Sequence, residues 1–131
     1  MAKKVGIASV VIFIVWNVID FLVHGMMLQS IYATQPEIWR SMEEMKMGVM
    51  YFVVFASAVC FTLVYVMFIS PKNMNTAMKY GLIFGIGAGI TFGYGTYAVQ
   101  PIPYTLALSW FSVTLVEAFI GGILLGVLVK E

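Results

Sequence analysis

A bundle of four membrane-crossing helices with both ends on one side is the fold this sequence predicts, and three observations predict it. Of its 131 residues, 62% are hydrophobic and 10% charged, and the mean hydropathy is +0.98, well outside the range of a water-soluble domain. Crossing ~30 Å of hydrocarbon takes about 20 predominantly apolar residues. Four stretches without Lys or Arg reach that length, at residues 5–28, 48–70, 80–99 and 104–129. Finally, Lys3, Lys4, Lys72, Lys79 and Lys130 fall on one side of the resulting zigzag, against Arg40 and Lys46 on the other. By the rule that basic residues stay inside, both termini are expected in the cytoplasm. Residues 1–131 read as a single transmembrane domain, with no linker and no low-complexity segment.

The first stretch begins like a signal peptide, with Lys3 and Lys4 ahead of an apolar run. That run continues through Met26, Met27 and Leu28 without a small-residue cleavage site, so it reads as a retained span. The outer connection, residues 29–47, contains Thr34-Gln-Pro-Glu37, a capping-box pattern with proline in the first turn. A short interfacial helix is predicted there, with Ile38, Trp39, Met42 and Met45 as its apolar stripe and Trp39 at headgroup level. Ser70-Pro71-Lys72-Asn73 reads as an inner turn. Gln100-Pro-Ile-Pro103 ends the third span, because proline withholds a donor and restrains its predecessor. Lys46-Met-Gly48 and Lys79-Tyr-Gly81 both introduce a span, but the residues beyond them do not match, so no internal duplication is read.

Gly81, Gly85, Gly89 and Gly93 make three successive four-residue steps along the third span, and Ala118, Gly122 and Gly126 form a comparable stripe on the fourth. Small residues let backbones approach closely where lipid supplies no hydrophobic drive for association. The stripes predict contact between spans three and four, with a homodimer seam as the alternative. At about 100° per residue such a stripe drifts by roughly 40° per step.

Composition excludes several functions. A net charge of +1 leaves no footprint for nucleic acid. A single cysteine, Cys60, excludes an intrachain disulfide and reads as a buried small apolar residue. A single histidine excludes bis-histidine haem and multi-histidine di-iron sites on one chain. The informative residues are polar ones at depth. Asn17 and Glu117 lie near the midplane, with Asp20 roughly 6 Å and His24 roughly 12 Å outward. Asn17, Asp20 and His24 are three and seven residues apart, which puts them on one face of the first helix. Each carboxylate in hydrocarbon costs about 2.5–3.5 kcal/mol unless neutralised or hydrated. Asp20, His24 and Glu117 are therefore the candidate ligand- or proton-binding residues, with Asn17, Tyr94 and Thr91 as supporting hydrogen-bond partners. The bland alternative is a satisfied interhelical network.

Six of the ten methionines, at positions 26, 27, 42, 45, 47 and 50, gather near the outer boundary. Thioethers with an imidazole suit Cu(I), so His24, Met42, Met45, Met47 and Met50 form a candidate copper set, beside the plainer reading of methionine as deformable packing. No cofactor is otherwise implied.

Ile19-Asp20-Phe21 in the first span, and Tyr80-Gly81, Phe84-Gly85 and Thr96-Tyr97 in the third, resemble the signatures of a family of uncharacterised four-helix bacterial inner-membrane proteins. Ala98-Val99-Gln100 stands where that family continues Asp-Leu-Thr-Asn. The resemblance implies a topology and a bacterial inner (plasma) membrane location, and no activity.

The sequence thus leads to a small membrane binding or transport protein with an outward-facing polar site for a small ligand, cation or proton. The rival is a non-catalytic accessory or assembly subunit of a larger membrane complex. Its partners are the lipid bilayer and either further copies of itself or that complex. An enzyme would have Asp20 and His24 as an acid–base pair, but no nucleophile motif or metal-ligand spacing accompanies them.

Overall fold

The structure, a computed structural model, describes residues 1–130. It is all-helical, with no strand among those residues. Four helices are long and apolar enough to cross a membrane: α1 (Ala2–Met27), α2 (Met47–Phe68), α3 (Met74–Val99) and α4 (Tyr104–Leu128). The two chain ends meet, since the Lys4 ammonium donates to the Lys130 carbonyl at 3.2 Å. One end of the bundle thus carries both termini, and the opposite end carries the long connection between α1 and α2.

The largest departure from the expected boundaries is at α3, which starts six residues early. Asn73 is extended and its side chain accepts from the Thr76 N–H at 2.9 Å, an N-cap that opens the helix before Lys79. Lys79 then lies exposed on the first turns of α3. The expected interfacial helix does not form. The Thr34 hydroxyl donates back to the Ile31 carbonyl at 2.6 Å, closing the preceding turn in place of opening the next. Only Pro36–Ile38 is helical, as one 3-10 turn, and Trp39 is extended. That conformation brings the Trp39 ring edge-on against both Tyr32 and Trp110, with centroids 5.1 and 6.0 Å away.

α3 and α4 pack along their whole length through the small residues. Gly81, Gly85, Gly89 and Gly93 are buried, as are Ala118, Gly122 and Gly126. A Cβ at Gly93 would lie 2.5 Å from the Ala107 carbonyl oxygen, and one at Gly122 equally close to that of Ala77. Gly126 abuts Met74. Between Gly89 and Gly93 the helix contains a π-helical turn, Ile90–Tyr94. Such a turn closes with i→i+5 bonds and takes back rotation that ordinary helix accumulates.

The core has two parts. Towards the terminal end, the fully buried Phe61 of α2 meets Trp16 of α1 and Tyr80 and Phe84 of α3, at centroid distances of 5.3, 4.8 and 5.0 Å. Gly121 of α4 leaves room for it, since a Cβ there would be 2.9 Å from the Phe61 ring. The Tyr80 hydroxyl donates to the Phe61 carbonyl at 2.6 Å. At the opposite end, Leu28, Ile102, Leu106, Ala107 and Trp110 form a second cluster, covered by Ile38 and Trp39 from the connection. α2 takes little part in that cluster: residues 47–53 are exposed, and burial begins at Val54. Cys60, expected to be buried, is exposed, because α2 turns Phe61 and Thr62 inward instead.

Candidate functional site

Asp20 and His24 lie four residues apart near the end of α1, on one face, as helical spacing requires. His24 falls within a second π turn, Val23–Met27. Its Nε2 is 3.8 Å from Asp20 Oδ1, an ion-pair distance longer than a hydrogen bond. Both side chains are about one-third exposed, His24 at 33% and Asp20 at 30%. His24 Nδ1 is 2.6 Å from the Tyr32 hydroxyl, and that oxygen accepts from the Trp110 indole N–H at 2.9 Å. Trp110, on α4, is held in turn by Phe92 of α3, stacked at 4.5 Å with 10° between the ring planes.

Glu117 approaches from α4. Its carboxyl group interacts directly with that of Asp20. Its Oε1 is buried with no hydrogen-bond partner. The α1–α4 contact that sets this approach is a hydrogen bond from the Trp16 indole N–H to the Glu117 carbonyl, 2.7 Å long. Asp20 thus stands within interaction range of Glu117 on one side and of His24 on the other, with Tyr32 beyond His24. No Lys or Arg occurs between residues 5 and 39 or between 80 and 129.

The supporting residues expected from sequence sit elsewhere. Asn17 turns back on its own helix, donating to the Phe13 carbonyl at 2.8 Å. Thr91 is exposed and donates to the Gly87 carbonyl at 2.9 Å, beside a shallow dent in the surface of α3 lined by Ile83, Phe92 and Thr96. Tyr94 pairs its hydroxyl with that of Tyr104 at 3.2 Å. Short polar side chains in a helix readily bond the carbonyl one turn back, which satisfies Asn17 and Thr91 without a neighbour.

Trp110 and Tyr32, neither of which the sequence singles out, carry the hydrogen bonds instead. Tyr32 lies in the short helical turn Gln29–Tyr32, outside the spans. Burial pushes its hydroxyl above the ordinary value of 10.0. The bond from Trp110 opposes that shift and the Asp20 charge adds to it. Gln35 Oε1 and Trp39 Nε1, in the same connection, are buried without partners.

Among the described residues, no group of three His, Cys, Asp or Glu is placed to hold a metal ion. For the candidate copper set, both His24 nitrogens face other partners, Tyr32 and Asp20. Met42, Met45, Met47 and Met50 are all exposed.

No family model matches the chain, and no curated protein or solved structure matches it.

Proposed function

We propose that this chain is a multi-pass membrane protein whose Asp20–Glu117 pair binds and releases a proton, as a small binding or transport protein of a bacterial inner membrane. The excess of Lys at the terminal end supports a cytoplasmic location for both termini, and with it a site that opens to the outer side. The observation that carries this reading is the buried, unpartnered Glu117 Oε1 on a helix tied to α1 at Trp16, with Asp20 of α1 within interaction range. Two carboxylates in contact in a poorly polarisable medium cannot both ionise, so the pair holds a proton between them. Such pairs titrate as a unit. A proton is the ligand that suits the geometry, because it needs no cavity, whereas an organic solute would need space beside an oxygen that is already enclosed.

Infrared difference spectroscopy on the protein reconstituted in lipid vesicles tests this. The expected result is a protonated-carboxyl C=O band at neutral pH that disappears in Glu117→Gln and shifts in Asp20→Asn. A carboxyl region unaffected by either substitution in folded protein would overturn the proposal. Transport is read separately, as acid-driven proton entry into vesicles reported by an entrapped pH dye, and is expected to fall at least tenfold in Glu117→Gln.

A further inference from the structure

We propose that Tyr32 and His24 form the proton's route between the Asp20–Glu117 pair and the water at the connection end, with Trp110 setting the direction of the chain. This rests on the reading of the carboxyl pair as protonatable. An indole N–H only donates, so the Tyr32 oxygen accepts from Trp110 at 2.9 Å. The Tyr32 O–H is then free to donate to His24 Nδ1 at 2.6 Å. A neutral imidazole that accepts at Nδ1 carries its proton on Nε2, and Nε2 is the nitrogen that faces Asp20 Oδ1 at 3.8 Å. The hydrogen bonds and the ion-pair contact thus line up from Trp110 through Tyr32 and His24 to Asp20, and Glu117 stands behind Asp20.

The groups facing His24 are Asp20 from its own helix and Tyr32 from the connection, with Glu117 of α4 reached through Asp20. Tyr32 is half-buried at the edge of the second core cluster. Its ring lies 6.1 Å from the imidazole with 28° between planes and edge-on to Trp39, which holds the hydroxyl where it is.

For inward passage, the Tyr32 O–H bond breaks as a proton bonds to Nδ1, and the Tyr32 oxygen takes a proton from hydronium, leaving water. The Nε2–H bond of the resulting imidazolium then breaks and an O–H bond forms on Asp20, which leaves a neutral imidazole with its proton on Nδ1. One proton moves from hydronium to the carboxyl pair, no electrons change hands, and release runs through the same bonds in reverse. The Nε2 to Oδ1 distance must close by roughly 0.6–1 Å to reach hydrogen-bond length. His24 stands in a π turn, a local irregularity that often marks functional sites.

The test uses the full chain in lipid, with 15N-labelled histidine and infrared detection after a rapid pH change. In the wild type, at a pH above that at which the carboxyl pair takes up its proton, the 15N shifts are expected to report neutral His24 with a bare Nδ1 and a protonated Nε2. Tyr32→Phe is expected to let both tautomers appear and to slow protonation of the carboxyl pair at least tenfold, with its final extent unchanged. Trp110→Phe, which removes only the orienting donor, is expected to mix the tautomers as well. A wild-type His24 with its proton on Nδ1 while the carboxyl pair still lacks its shared proton overturns the inference, and so does Tyr32→Phe protonating at wild-type speed. Absence of any pH-dependent carboxyl band in wild type has a different signature: it removes the pair, and the route with it. Should Tyr32→Phe fail to fold, the wild-type tautomer still decides.

Discussion

Replacing Gly122 by alanine adds one methyl group where the α3 and α4 backbones approach closely. The new carbon would sit 2.5 Å from the Ala77 carbonyl oxygen, 3.1 Å from Gly81 Cα and 3.3 Å from the Ala77 carbonyl carbon. All three are backbone atoms, so no side-chain rotation relieves the clash. Ordinary contact begins at 3.4 Å, so the helices must part by about 0.9 Å at this point. Overpacking of this kind costs about 1–3 kcal/mol. Gly87→Ala supplies the internal control, since a Cβ there meets nothing within 4 Å. Both changes share the intrinsic helix gain of about 0.5–1 kcal/mol for alanine over glycine. The difference between the two variants therefore isolates the seam, and corresponds to roughly a five- to 150-fold difference in the folding equilibrium constant. Reversible unfolding in mixed micelles, followed by helical circular dichroism against the mole fraction of dodecyl sulfate, measures it. Equal stability of Gly122→Ala and Gly87→Ala would refute the close approach of these two backbones.

Three further outcomes are expected from particular contacts. Asn73→Ala removes the cap that starts α3 and is expected to cost about 1 kcal/mol in the same unfolding assay, with Asn73→Ser recovering most of it. Trp16→Phe keeps the packing on Phe61 but removes the donor to the Glu117 carbonyl. A loss of about 0.5–1.5 kcal/mol is expected, together with a shifted carboxyl band, because Glu117 loses its anchor to α1. Tyr32 should stay protonated past pH 10.0, seen as phenolate absorbance that is lost in Tyr32→Phe and appears later than for an exposed tyrosine. A hydroxyl whose proton is held more tightly in the folded state than in the unfolded one contributes stability that is fully present below pH 10.0. That contribution is lost as pH rises through the folded-state value, so the wild type should lose stability over that window faster than Tyr32→Phe.

The architecture was legible because backbone groups in lipid must bond within a helix, so length and hydropathy alone mark the four helices long and apolar enough to cross a membrane. The nearness of Asp20, His24 and Glu117 was also legible, since ionisable side chains in apolar stretches stand out. Their supporters were not. Asn17 and Thr91 stood at suitable depths, but depth does not reveal that a side chain will bond the carbonyl of its own preceding turn. Tyr32 and Trp110 are 78 residues apart and sit at a boundary where aromatic residues are common for reasons unrelated to any site. The interfacial helix was misread because Thr34 has the composition of a cap at either end of a turn. The choice is made by the ring packing of Trp39, which is tertiary. The same holds for the two π turns, for which no sequence pattern was available.

The π turn Ile90–Tyr94 also bears on which insertions and deletions α3 can survive. It amounts to one surplus residue stored between two stretches of regular helix. Deleting a residue inside it lets the turn close as ordinary α-helix, with residues 74–89 and 95–99 still presenting the sides they present now. Deleting a residue from 82–88 has no such reserve, and swings everything beyond it by roughly 100° about the axis. Two shortened chains of identical length and nearly identical composition would then differ in whether Tyr94 still finds Tyr104.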